Sequence, residues 1–256
     1  MSRTADSKVA IALLFPDLLG TYGDSGNAVI LGRRLVWRGF GVELVTVRSG
    51  DPVPDSCDVY VVGGGEDLPQ ALAARQLGRA PEAALSRAVA SGAAVFAVCA
   101  GLQILGSSFF VDGQEADGVG LVDCRTVRGP GRRAVGEIVV EPVPDLGLPE
   151  LTGYENHASA TIVGPDASPV GRVVTGVGNG DGSGQDGVWS GRVIGTYLHG
   201  PALARNPALA DRVLSWVVGD LTPLDDAESV ELRRERLAAV AGSSAGPGRR
   251  HRAWRR

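Results

Sequence analysis

The sequence predicts an α/β fold: a central, mostly parallel sheet with helices on both faces and antiparallel additions in the second half. Three observations lead there. Over the first 110 residues, apolar runs of strand length alternate with segments whose apolar residues repeat at helical spacing. That is the pattern of βαβ units in a sheet covered on both sides. After about residue 110 glycine and proline become frequent, helical periodicity disappears and short β-like runs follow one another. A last apolar run, RVIGTYL, precedes a helical segment, so a strand is expected to return there to the main sheet.

The elements follow in order. VAIALLF, within residues 8–15, reads as a buried strand, followed by the loop PDLLGTYGDSGN. AVILGRRLVWRG places Val29, Ile30, Leu35 and Val36 at helical spacing and ends at Gly39. GVELVTV and DVYVVGGG are the second and third strands, the third running into Gly63, Gly64 and Gly65. Residues 66–90 read as helical, interrupted near Gly78 and Pro81. AAVFAV is the fourth strand, Cys99 ends it, and GLQILGSSFF opens as a helix.

In the second half, GLVDCRTV, GEIVVE, ASATIV, GRVVTGV and DGVWS are expected as antiparallel edge strands and hairpins. Asn206 and Pro207 suit the N-cap and first turn of PALADRVLSWVV, whose Leu209, Val213, Trp216 and Val217 share a face. A more charged helix is expected over roughly 225–241. GSSAGPGRRHRAWRR has no core-forming pattern and reads as a disordered basic tail. The expected organisation is therefore one domain over 8–220, a C-terminal helix over 221–241 and a tail over 242–256.

Composition narrows the class. The chain of 256 residues is 44% hydrophobic and 21% charged, enough for one sizeable core. No run is long and apolar enough to span a bilayer. The first apolar run meets Pro16, Asp17 and Gly20 at once, so it reads as a strand and not as a signal peptide. Three cysteines, an odd and sparse number, point to a reducing compartment and no disulfide framework, and a cytoplasmic protein is expected. A net charge of −4 argues against a nucleic-acid-coating surface. Lys8, the one lysine, has no glycines before it, so the chain carries no phosphate-cradling P-loop.

In open parallel sheets, functional groups gather at the carboxyl ends of the strands. Three such ends carry chemistry here: Gly63-Gly64-Gly65, Cys99, and His199 after RVIGTYL. A cysteine at a sharp strand-to-helix turn is held open, and the helix end stabilises its thiolate. A thiolate attacks a carbonyl to give an acyl-enzyme. A histidine takes the thiol proton and returns it to the leaving nitrogen. The tetrahedral oxyanion needs fixed donors, for which the backbone amides of Ala100 and of Gly64 or Gly65 are candidates. His157, in GYENHAS, is the competing base; Cys57 and Cys124 read as structural and His251 as inert in the tail.

CAGLQILG at 99–106, GGGEDLPQ at 63–70 and TYLHGP at 196–201 together resemble a class I glutamine amidotransferase domain with its flavodoxin-like fold, in the branch similar to cobyric acid synthase. LFPDLLGTYGDSGNAVIL, GYENHAS and GTYLHGPALARNPALAD are similar to the glutaminase subunits of two-subunit synthases that amidate the lipid II stem peptide. The resemblance covers about residues 8–220. It implies hydrolysis of glutamine to glutamate and ammonia by Cys99 and His199. It also implies a Mur-ligase-like partner, MurT, that holds ATP and Mg and amidates the D-glutamate α-carboxylate. No cofactor or metal is expected on this chain. An acceptor such as a corrinoid, or a non-catalytic scaffold role, are the alternatives.

The resemblance also assigns the glutamine carboxylate to an arginine in TVRGPGRRAVGEIVVE. Arg133 matches best, Arg132 second, and Arg128 lies in the same segment. The planar guanidinium fork suits both carboxylate oxygens. The family pattern departs at one place. An acid usually stands two residues after the catalytic histidine, and here Gly200 and Pro201 follow His199. Either another acid of this chain or one from the partner must orient the imidazole, and the partner is the expected source. Asp24, Asn27, Glu155 and Asn156 read equally as lining of the site or partner face and as loop hydrogen bonding with helix capping by Ser25 or Asp24. The basic tail offers contact with an anionic membrane surface.

Overall fold

A computed structural model of the chain describes residues 8–244. The chain opens with β1 (Val9–Leu14), α1 (Gly26–Val36), β2 (Val42–Val47) and β3 (Val59–Val62). Then come α2 (Asp67–Leu77), α3 (Ala84–Ala90), β4 (Ala94–Val98) and α4 (Ala100–Leu105). The second half holds β5 (Ser108–Val111), β6 (Gln114–Asp117), β7 (Cys124–Arg128), β8 (Ala134–Pro142), β9 (Leu151–His157) and β10 (Ser159–Val163). It continues with β11 (Gly171–Thr175), β12 (Gln185–Asp186), β13 (Val188–Ser190) and β14 (Val193–Thr196). The helices α5 (Ala202–Arg205), α6 (Pro207–Val218) and α7 (Ala227–Ser244) close the described chain.

The main sheet has the order β13-β14-β4-β3-β1-β2, parallel except for the β13–β14 pair. Its central strands are continuous apolar runs because both faces are covered. Every residue of β3 and β4 is buried, and Phe96, Tyr60, Ile11 and Leu14 are fully so. Register puts Val62 beside Ala97 and Val98 beside Thr196. Gly63, Cys99 and the segment leading to His199 therefore leave the sheet at one carboxyl edge.

The second half is antiparallel in character, as expected, but only β13 joins the main sheet as an edge strand. The others form two further four-stranded sheets, β10-β7-β5-β6 and β12-β11-β8-β9. Two β elements fall outside the sequence reading, as does the short helix α5. The first is the β5–β6 hairpin, turned by Asp112 and Gly113 at φ 49° and 79°. Two positive φ angles in a two-residue Asp-Gly turn match the right-handed twist of the strands. The second is β9, a polar stretch that pairs along its whole length with β8.

The C-terminal helix runs to Ser244, past the expected 241. The start of α7 is tied to α1 by charge. Arg34 is 3% exposed and pairs with Asp211 at 2.7 Å and Asp226 at 2.8 Å, while Arg38 adds a bond to Thr222 O. No helix among the described residues is long and apolar enough to cross a membrane. The rest of the expected basic tail, with His251, lies outside the described residues.

Candidate active site

Cys99 ends β4 and caps α4, with φ 51° and ψ −109°. For a residue with a Cβ that backbone costs about 1–3 kcal/mol and persists only where neighbours hold it. Here its N–H donates to Thr196 O at 2.9 Å and its carbonyl accepts from Gln103 N at 3.1 Å. The turn redirects the chain from strand to helix within one residue and sets the thiol at the carboxyl edge, 5% exposed.

His199 follows β14 and is fixed by its backbone: its N–H donates to Tyr154 O at 2.9 Å and its carbonyl accepts from Tyr154 N at 3.1 Å. The ring is buried, and its Nδ1 lies 3.0 Å from Asp24 Oδ2 and 3.2 Å from Oδ1. An acid of this chain, Asp24 on the loop after β1, thus stands beside the imidazole. Burial opposes charge on the imidazole. The hydrogen bond to Asp24 and the interaction with the Cys99 thiol outweigh it and raise the pKa to about 9. Nε2 makes no hydrogen bond to the described residues; bonds between a catalytic base and its partner commonly tighten on substrate binding.

The glycine loop explains how closely these groups converge. A Cβ on Gly64 would lie 2.8 Å from His199 Cε1, 3.0 Å from Asp24 Oδ2 and 3.4 Å from Cys99 Cβ. Only a glycine backbone fits there. The Gly64 N–H donates to Asp24 Oδ2 at 2.9 Å, so its expected role as an oxyanion donor does not hold in this arrangement. The amides of Gly65 and Ala100 are the remaining candidates.

Arg133 precedes β8 and reaches the same edge. Its Nε donates to Asn156 Oδ1 at 2.5 Å, its Nη2 to Asn156 O at 3.3 Å, and Nη2 lies 3.5 Å from the Tyr22 hydroxyl. Asn156 Nδ2 donates to that hydroxyl at 3.0 Å. The Tyr22 ring in turn leans on the His199 ring, centroids 4.5 Å apart. Arg133 is thereby joined to the His199 ring through Tyr22. Arg128 and Arg132, exposed like Arg133, lack such anchoring among the described residues.

Strand alternation in β9 sorts the GYENH stretch. Tyr154 and Asn156 face the site edge, whereas Glu155 and His157 are buried. Glu155 accepts from Val177 N at 2.8 Å and Gly178 N at 2.9 Å, and burial raises its pKa. His157 stacks on Tyr197 at 3.9 Å and its Nδ1 sits 3.2 Å from Ser159 O. Burial lowers its pKa to about 4, and its contacts are those of a core histidine. Asn27 accepts from Leu203 N at 2.9 Å. Ser25 is the N-cap of α1 without a side-chain cap bond. Asn206 does not cap α6 with its side chain; it grips Thr152 N and O at 2.9 and 2.8 Å.

A buried chain of hydrogen bonds stands behind the site. Gln70 Nε2 donates to Gln103 Oε1 at 2.8 Å, and Gln103 Nε2 to the Tyr197 hydroxyl at 3.1 Å. The chain continues to Thr161 at 2.6 Å and Thr126 at 2.8 Å. Cys57 and Cys124 are free and buried. Burial pushes the Cys124 thiol up to about 12 and raises that of Cys57. No metal-binding cluster is found among the described residues.

The profile of the CobB/CobQ-like glutamine amidotransferase domain matches residues 10–207. The chain belongs to the CobB/CobQ-like glutamine amidotransferase family. Among relatives of this amidotransferase, the lipid II isoglutaminyl synthase (glutamine-hydrolyzing) subunit GatD of Staphylococcus aureus is 34% identical over 200 residues, 77% of this chain and 79% of that protein. The Streptococcus pneumoniae subunit of the same name is 32% identical, covering 80% and 78%. A probable cobyric acid synthase of Methanothermobacter thermautotrophicus is 31% identical over 60% of this chain, which spans only 32% of that protein. The glutaminase domain of Trypanosoma brucei CTPS, solved with bound acivicin, shares the fold with a TM-score of 0.51 at 14% identity, covering 84% and 96%.

Proposed function

We propose that this amidotransferase is the glutamine-hydrolysing subunit of a synthase that amidates lipid II in peptidoglycan synthesis. The observation that carries the chemistry is the strained turn holding Cys99 against His199 beneath the glycine loop. The acceptor is suggested by the two GatD relatives, of which the chain spans nearly four fifths.

Cys99 Sγ attacks the side-chain amide carbon of glutamine after His199 takes the thiol proton. The amides of Gly65 and Ala100 hold the oxyanion. His199 returns the proton to the nitrogen, ammonia leaves and a thioester remains. Water, deprotonated by the same imidazole, cleaves the thioester to glutamate and frees Cys99. Arg133 pairs with the α-carboxylate of glutamine and sets the side chain towards Cys99. The ammonia passes to a Mur-ligase-like partner, MurT, which would carry ATP and Mg and activate the D-glutamate α-carboxylate.

The full chain is co-purified with that partner, and glutamate release and lipid II amidation are measured for wild type and Cys99→Ser. Loss of both in the variant, with the complex intact, is the expected result. Glutamate release that survives Cys99→Ser would reject the mechanism. Amidation of a corrinoid acid, with none of lipid II, would transfer the subunit to the other acceptor.

A further inference from the structure

We infer that Asp24, on the loop after β1, is the positioning residue for His199 and takes the place of the acid that usually follows the histidine. The inference rests on the glutaminase reading above and deepens it.

Three observations meet at Asp24. Its carboxylate is fully buried and within hydrogen-bonding distance of His199 Nδ1 through both oxygens. Among the described residues it forms no ion pair with arginine or lysine; His199 is its one cationic partner and the Gly64 amide its other donor. An ionised carboxylate is costly to bury unless paired, so the site gives its charge one purpose, which is to hold an imidazolium. Donation from Nδ1–H to Asp24 also fixes the tautomer that leaves Nε2 free to take a proton from Cys99.

The third observation is what occupies the usual place of the acid. Pro201 stands two residues after His199, and its ring lies over Gly26, where a Cβ would fall 2.4 Å from Pro201 Cγ. Beside it Leu203 N–H donates to Asn27 Oδ1 at 2.9 Å. Residues 24–27 are thus docked on residues 200–203. The missing side chain at Gly26 and the proline in place of an acid are two halves of one contact, and that contact delivers Asp24 to the ring.

The test uses the full chain in complex with its synthase partner, as wild type, Asp24→Asn and Asp24→Glu. Glutamate release is followed against glutamine concentration and pH, the His199 ring is titrated by NMR, and thermal unfolding checks the fold. Asp24→Asn should lower kcat by about 100-fold or more, leave KM within about threefold and drop the His199 pKa by at least about one unit. Asp24→Glu should keep the raised His199 pKa and recover part of kcat. If Asp24→Asn does not fold, Asp24→Glu carries the test with a kcat reduced about tenfold or more at unchanged KM. A kcat within threefold of wild type in the folded variant, or an unmoved His199 titration, overturns the inference. A wild type inactive on glutamine whose His199 pKa still falls in Asp24→Asn would sink the glutaminase reading and leave the positioning role standing.

Discussion

Gly64→Ala is the smallest change that tests the geometry of the site. The added methyl would sit 2.8 Å from His199 Cε1 and 3.0 Å from Asp24 Oδ2. Carbon atoms rest at roughly 3.5 Å or more, so the imidazole or the loop must yield by about 0.7 Å. The loop has little room to retreat. A Cβ on Gly63 would meet Leu19 O at 2.1 Å, and one on Gly65 would meet Leu18 O at 2.9 Å and Leu19 Cδ2 at 2.8 Å. The displacement therefore falls on His199 and Asp24. Misplacing a reacting group by about 1 Å costs roughly 100-fold in rate, so kcat for glutamate release should fall about 10- to 100-fold. KM should change little, because Arg133 lies on another element. Steady-state glutaminase assays with thermal unfolding as a control measure this. A kcat within threefold of wild type, at unchanged stability, would refute the claim that the three groups meet over Gly64.

Other predictions concern separate parts of the molecule. Arg133→Ala should raise KM for glutamine by about 30- to 150-fold, the loss of a charge-assisted pair worth roughly 2–3 kcal/mol, while iodoacetamide still alkylates Cys99 at the wild-type rate. His199 has a folded pKa of about 9 against 6.5 as its ordinary value, so its contribution to stability is complete below about pH 6.5 and is lost as pH rises through 9. The loss is roughly 3 kcal/mol at most; urea unfolding of wild type and His199→Gln at pH 6.5 and 9.5 should show a steeper decline for wild type, and equal declines would contradict it. Arg34→Ala leaves Asp211 and Asp226 facing each other with only Arg38 on Asp211. At about 3 kcal/mol for a broken buried pair, Tm should drop roughly 6–12 °C, and calorimetry showing less than about 2 °C would mean the cluster is not stabilising.

The main sheet was legible because strands buried on both faces must be apolar throughout, and VYVV and AVFAV are. Cys99 and His199 were legible as groups at the ends of such strands. Asp24 was read equally as lining of the site or partner face and as a loop or capping residue, although the same rule reaches it. β1 ends at the carboxyl edge too, so the polar loop TYGDSGN belonged with the other three strand ends. β9 escaped notice because Tyr154, Glu155, Asn156 and His157 are all polar or half-polar. Its alternation separates a site face from a face of buried hydrogen-bonding groups, not polar from apolar. The β5–β6 hairpin had a local signal in Asp112-Gly113, hidden inside a run that opened as a helix. The two extra sheets could not be read from local pattern, since pairing such as β5 with β7 is set by tertiary contact.

The hydrogen-bond chain from Gln70 to Thr126 can carry one proton order from end to end. With the Gln103 amide donating at Nε2, the Tyr197 hydroxyl accepts there and has its own proton free for Thr161, whose hydroxyl can in turn reach Thr126. In that order the Tyr197 proton is committed to Thr161, and Tyr197, though it interacts with Cys99, has none to lend to the substrate. In the proposed mechanism, acid–base work then rests on His199.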